Sequence, residues 1–333
     1  MPATRPFSIR SLGVALGVAL LYFLGGKLGL HFPYVGSSVT LIWPSSGIAF
    51  AAVWRFGSPA VAGTALGAFL VNLTIAGSFA YSLPVAVGNT LPALVACHML
   101  RREGTIDLFR DPSTVSRFLA VAVLFAPMLS ASAGTFTLWT HGGTSLTQLI
   151  YIWVVWWGGD AMGVLVVAPA LLTLPQAPPL PRTPTAWAES GLMGSVFVVL
   201  FWGLFFFSAG PQVAPLSFGA LPFLVWVALR FPLTVLCQIL LVIAALAVYA
   251  TAHGQGPFVR PSFRESFAFL HLFLMALASV GLMLGASVQA AHRSVRLAND
   301  HARRLAGQQA GVYSLIDEEL LFQARATARI TEK

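Results

Sequence analysis

Apolar runs separated by short polar or Pro/Gly-rich breaks follow one another along the whole chain. Their spacing predicts ten segments, at about 9–30, 39–55, 59–77, 80–100, 115–139, 147–173, 187–208, 214–229, 232–251 and 265–289. The second and eighth are short for a helix that has to cross roughly 30 Å of hydrocarbon at about 1.5 Å per residue. Eight spans with those two re-entrant are therefore the alternative. The expected fold is all-α: a polytopic transmembrane helical bundle of 8–10 segments over residues 1–290, followed by a C-terminal cytoplasmic signalling helix over 291–333.

Composition agrees with this pattern. The chain is 57% hydrophobic and only 9% charged, with a mean hydropathy of +0.80, far from the roughly 25% charged residues of soluble domains. Its first partner is thus the lipid bilayer. The net charge of +8 would suit nucleic acid if it were gathered on one soluble face, but it is distributed by topology, so no nucleic-acid partner is expected. With the N-terminus placed in the cytoplasm, all of the 19 Lys and Arg except Lys27, Arg260 and Arg264 fall on the cytoplasmic side. This satisfies the positive-inside rule and places both termini in the cytoplasm. The basic start, Met1 to Arg10, leads into an apolar run longer than a signal-peptide core, and it reads as a retained first span. Cys97 and Cys237 have neither metal spacing nor a disulfide framework around them. No metal and no cofactor are expected.

Pro44 changes the reading of the second segment. Proline suits the first turn of a helix better than its interior, so a helix starting near Pro44 would leave free N–H groups inside the membrane. Such groups are tolerated only where the backbone is buried or lines a cavity. Trp43, just before it, is a candidate ligand contact, with an interfacial anchor as the alternative. Val53-Trp54-Arg55-Phe56 before Gly57 is echoed by Ala228-Leu229-Arg230-Phe231-Pro232, again after a Pro-interrupted short segment. Paired interrupted segments in two halves point to a transporter, so a carrier of a small solute is the alternative function. A proline-rich loop, Leu174 to Pro184, separates the halves. Gly63 and Gly67 form a GxxxG pattern, which favours close helix packing.

The most distinctive chemistry lies in Trp153-Val-Val-Trp156-Trp157-Gly-Gly-Asp160. A carboxylate at the bilayer centre costs roughly 2.5 to 3.5 kcal/mol on insertion scales, so such acids usually face a bundle interior and carry function. Helical spacing puts Trp153, Trp156, Trp157 and Asp160 on one face. Asn72 and Asn89 fall at a similar depth and, with Asp160, could line one polar cavity, interhelical hydrogen bonding being the alternative. Lys27 could reach toward Asp160 or snorkel to the interface. The candidate ligand-binding set is therefore Trp43, Asn72, Asn89, Trp153, Trp156, Trp157 and Asp160. Indole rings favour an aromatic solute, the acid a cation and the helix start an anion, so the ligand's identity stays open. No base, metal cluster or activated nucleophile accompanies Asp160, and no catalytic residue is expected.

Beyond Gly285 the apolar positions Val288, Ala291, Val295, Ala298, Ala302 and Leu305 are spaced 3-4-3-4-3, the pattern of a coiled coil and of a homodimer through the C-terminal helix. Gly307 and Gly311 are expected to interrupt it.

Six stretches in order, Trp43-Pro-Ser-Ser-Gly-Ile-Ala49, Gly67-Ala-Phe-Leu-Val-Asn72, Gly88-Asn89-Thr90, Trp153 to Asp160, Leu221-Pro222 to Arg230-Phe231, and Gly254-Gln-Gly-Pro-Phe258, resemble the MASE1 family of membrane-associated sensor domains. The resemblance covers about residues 9 to 290. It implies a sensory input domain in the bacterial inner membrane that detects a small molecule or a membrane-associated signal. It also implies an eight-span domain joined to histidine kinase, PAS or diguanylate cyclase outputs, as in two-component systems. His292 and His301 are not followed by the acidic residue of a phosphoacceptor box, and no catalytic output domain is expected before Lys333.

Overall fold

The computed structural model describes residues 8–31, 40, 42–142, 144–177, 183–207 and 211–331, without the side chains of 207, 211–214, 263 and 307–331. The proline-rich 178–182 and the first residues of the chain, with Arg5, lie outside that description. The protein is 87% helical, and no strand occurs among the described residues. The helices are α1 (Ile9–Leu30), α2 (Pro44–Phe56), α3 (Ser58–Ala76), α4 (Phe79–Arg102), α5 (Pro112–Arg117), α6 (Ala126–Thr140), α7 (Leu146–Thr173), α8 (Pro184–Phe197), α9 (Ala220–Arg230), α10 (Leu233–Ala252) and α11 (Phe263–Thr331). A π-helical stretch, Phe118–Phe125, joins α5 to α6 into one 29-residue span, and another, Val198–Phe207, extends α8.

Eight helices among the described residues are long and apolar enough to cross a membrane, and the chain is a multi-pass membrane protein. The ten expected segments are all helical, but two do not have spanning length. Helix α2 has 13 residues and α9 has 11, about 20 and 17 Å of rise against a core of about 30 Å. Their starts differ too. Ser8, Ser78, Asp111, Ser145 and Thr183 cap longer spans through side-chain oxygens that accept backbone N–H bonds. Trp43 and Gly219, ahead of α2 and α9, provide no side-chain cap, and neither do Gly57 and Pro232 ahead of the longer α3 and α10. Helix α2 begins afresh at Pro44, behind the irregular chain at Trp43, whereas α9 continues directly from a 3-10 helical stretch, Pro211–Gly219.

Helix α1 lies on α3, α3 on α4, α4 on α6 and α6 on α7, with α2 enclosed between α7, α1 and α4. Small residues allow these approaches. A Cβ added at Gly63 or Gly67 would run into the α1 backbone at Ala15 and Ala19, so the GxxxG pattern is a packing seam. The opposite side of α1 exposes Leu16, Leu20, Leu24 and Leu28, as a lipid-facing surface requires, and α8 buries no residue. Residues Met1–Ser287 form one compact unit and Val288–Lys333 a second. In the second, the helix passes Gly307 and Gly311 without the expected interruption and continues to Thr331. Val295 and Leu305 are exposed on it.

Candidate functional site

Three glycines on two helices decide where α2 begins. Gly159 and Gly163, one turn apart on α7, leave room for the chain ahead of α2. A Cβ at Gly159 would stand 2.8 Å from the Thr40 carbonyl oxygen, and one at Gly163 would run into the Trp43 carbonyl. Gly47 on α2 is in turn pressed against the Gly163 carbonyl. The Trp43 N–H donates to the Gly159 carbonyl at 3.0 Å, tying the irregular segment to α7. Trp43 itself packs its ring over Gly26 and Gly29 of α1 and donates Nε1–H to the Tyr22 hydroxyl at 3.3 Å. It is half-buried against α1.

This packing brings the start of α2 onto Asp160. Ser46, in the first turn, donates its hydroxyl to Asp160 Oδ1 at 2.6 Å. The helix start adds positive partial charge beside the carboxyl group. Asp160 is 2% exposed, and its Oδ2 has no hydrogen-bond partner among the described residues. Among the described residues, no Lys, Arg or His lines the two cavities that Asp160 borders. A buried carboxylate without a counter-charge is expensive, so the site is chemically incomplete on the Oδ2 side.

Of the residues singled out in the sequence, Trp43, Asn72, Asn89, Trp156 and Asp160 meet around one cavity, together with Thr40, Tyr81 and Gly159. The space open to water centres is about 30 Å³, room for a water or two, since one needs roughly 10–15 Å³. A smaller void of about 10 Å³ lies against Ser46, Phe50, Asn89, Pro92 and Pro127, and Asp160 borders it as well. Asn89 accepts from the Ser130 hydroxyl at 2.8 Å, and Trp156 Nε1–H donates to the same Ser130 oxygen at 3.1 Å. Asn72 donates to the Ala68 carbonyl of its own helix at 2.8 Å.

Trp153 and Trp157 do not join them. Their rings stack on each other with centroids 6.3 Å apart, and their Nε1–H groups donate to Ser132 Oγ at 3.0 Å and to the Leu124 carbonyl at 2.9 Å. They fasten α7 to the α5–α6 span. Lys27 also stays away from Asp160, donating to Thr74 Oγ1 at 2.8 Å. Sequence reasoning missed Thr40, Ser46, Tyr81 and Ser130. Only Ser46 carried a signal, as a hydroxyl in the first turn after Pro44.

On another side of α7, Gly158 leaves its backbone bare to α11: a Cβ there would meet Phe267 Cζ at 3.4 Å and His271 Cδ2 at 3.5 Å. Within three consecutive residues, α7 therefore touches α11, the chain ahead of α2 and the polar cavity.

Comparison with curated proteins and with solved structures returns no match. A model of the MASE1 family matches residues 14–292, a stretch that contains every side chain of the cavity and the α7–α11 contact. This chain belongs to the MASE1 family of membrane-associated sensory domains.

Proposed function

We propose that the protein is a membrane input module that reads the presence of one small positive charge, a proton or an alkali cation, at Asp160. The observation carrying this reading is the buried Oδ2 without a partner in a cavity the size of water. That space is too small for the aromatic solute that three indoles in a row would favour. Occupancy of Oδ2 changes how strongly Asp160 holds Ser46 and the start of α2. A shift of α2 against Gly159 and Gly163 then moves α7, whose Gly158 rests on Phe267 and His271 of α11. Such a signal biases the output only as far as the occupant binds one state better than the other.

In this reading α11 passes the change to a histidine kinase, PAS or diguanylate cyclase output, in a homodimer joined through Val288 to Leu305 in the bacterial inner membrane, with both termini cytoplasmic. An output-domain fusion tests the core of it. Asp160→Asn, which cannot carry a charge, should insert at wild-type abundance and hold the reporter in one state. Undiminished response at wild-type abundance would sink the reading. Varying sodium at fixed pH, and pH at fixed sodium, tells the two occupants apart. A cysteine at Val295 should crosslink between protomers far more than one at Leu297. A cysteine at Ser113, at the start of α5 on the side that the charge pattern assigns to the cytoplasm, should resist labelling from outside intact cells.

The start of α2 inside the protein favours a second reading, a carrier. Saturable, protein-dependent sodium or proton uptake into liposomes would establish it; a sensor needs no flux.

A further inference from the structure

The two short helices head similar series of elements. Helices α1, α2, α3 and α4 run long, short, long, long, and so do α8 with its π-helical extension, α9, α10 and α11. Both short helices end in Arg-Phe, at Arg55-Phe56 and Arg230-Phe231. In the first series, the space between the start of the short helix and the fourth helix holds the Asp160 cavity. The second series has a cavity in the matching place, between Pro215, Phe218 and Leu221 on one side and Phe269, Phe273 and Leu277 of α11 on the other. It is far larger, about 550 Å³, and no residue of α7 lines it.

Among the described side chains, its lining is apolar except for Ser217 and Arg260. The groove follows α11 from Phe269 to Val280, a rise of roughly 16 Å at 1.5 Å per residue, close to the depth of one leaflet, about half of a 30 Å hydrocarbon core. Arg260 precedes α11 and so marks the end near Phe269, with its guanidinium carbon 4.4 Å from the centre of that ring. Nη1 is held by the Pro257 and Val259 carbonyls, each at 2.9 Å. Nε and Nη2 make no hydrogen bond to the described residues, which leaves a pre-positioned fork of the kind that grips a phosphate through two bonds. Arg260 is also one of only three basic residues that the charge pattern places on the less basic side of the membrane, where general topology gives no reason for an arginine.

From the groove's length, its apolar walls and the free guanidinium edge at one end, we infer that it binds one anionic phospholipid, an acyl chain along α11 and the phosphate on Arg260. The lipid is then part of the surface of α11, the helix that continues beyond the membrane unit, and membrane composition becomes a second input independent of Asp160.

The full chain, purified in detergent and exposed to equal amounts of dioleoyl phosphatidylglycerol and dioleoyl phosphatidylcholine, can be examined by native mass spectrometry. The wild type should retain one phosphatidylglycerol per chain, at least ten-fold over phosphatidylcholine. Arg260→Gln should abolish that preference. Ala276 is exposed within the groove, so Ala276→Trp should fill it and release the lipid while the melting temperature stays at the wild-type value. Equal retention of both lipids by the wild type, or an Arg260→Gln protein that keeps the preference, overturns the inference. So does a second protein chain, rather than lipid, displaced by Ala276→Trp. If Ala276→Trp fails to fold, Arg260→Gln alone decides.

Discussion

The starts of α2 and α9 are built by opposite means. Around the start of α2, glycines at 47, 159 and 163 bring backbone onto backbone, and Ser46 in its first turn donates its hydroxyl to Asp160 of α7. Ahead of α9, a Cβ at Gly219 would meet only Leu200 Cδ1, at an ordinary 3.5 Å, and the neighbouring cavity is wide and apolar. The first is closed because α7 lies over it. A covering helix excludes lipid, so polar groups there have to satisfy one another, and small residues set how near the backbones come. Without such a cover, the second keeps a greasy lining suited to hydrocarbon. Two similar series of helices thus yield a small polar cavity and a wide apolar groove, and the difference lies in what packs against them.

The largest effect that can break this comparison is expected at Gly163. Gly163→Val sets a branched side chain against the Trp43 carbonyl, and since backbone on both sides has to move, the cost should exceed about 3 kcal/mol, the upper part of the usual range for overpacking. Membrane abundance and detergent melting measure it. Gly219→Ala should leave both unchanged, and comparable damage from the two would mean that the two starts are packed alike.

Asp160→Leu comes next. It removes the bond with Ser46 together with the charge, whereas Asp160→Asn keeps an acceptor for Ser46. Leu should therefore lower the melting temperature more than Asn, while only a signalling role makes both unresponsive. If response follows stability through wild type, Asn and Leu, Asp160 serves packing alone.

Smaller still are Ser46→Ala and Trp156→Phe, each deleting one interhelical hydrogen bond worth about 0.6 kcal/mol. Ser46→Ala should alter the reporter's set point out of proportion to that loss, because Ser46 links Asp160 to α2. Trp156→Phe should shift it less, since its Nε1–H donates to Ser130 and makes no bond to α2. A matching shift in both would remove Ser46 from the relay.

Much of the first site was legible in the sequence. Pro44 announced a helix start, since proline removes a donor that a first turn does not need, and Asp160 stood out because hydrocarbon penalises charge. Asn72 and Asn89 followed by depth. What periodicity could not give was the partner of each face. Trp153, Trp156, Trp157 and Asp160 do share a side of α7, but that side meets two different neighbours, so Trp156 joins the cavity and the other two indoles hold the α5–α6 span. Cavity size was equally out of reach, and it is what turns the reading from an aromatic solute to a single small charge.

The amino-acid sequence by itself determined that this is a helical membrane protein, how many apolar segments it has, where one of them breaks and which acid lies inside, because length, hydropathy and proline act through local chemistry. Only the tertiary structure decided that Ser46, 114 positions away in the chain, meets Asp160, that Gly158 sets α7 against α11, and that α9 opens onto a groove instead of a polar site. Each depends on which helix lies against which, and that is settled by the fit of whole surfaces, in which a glycine matters through the backbone facing it.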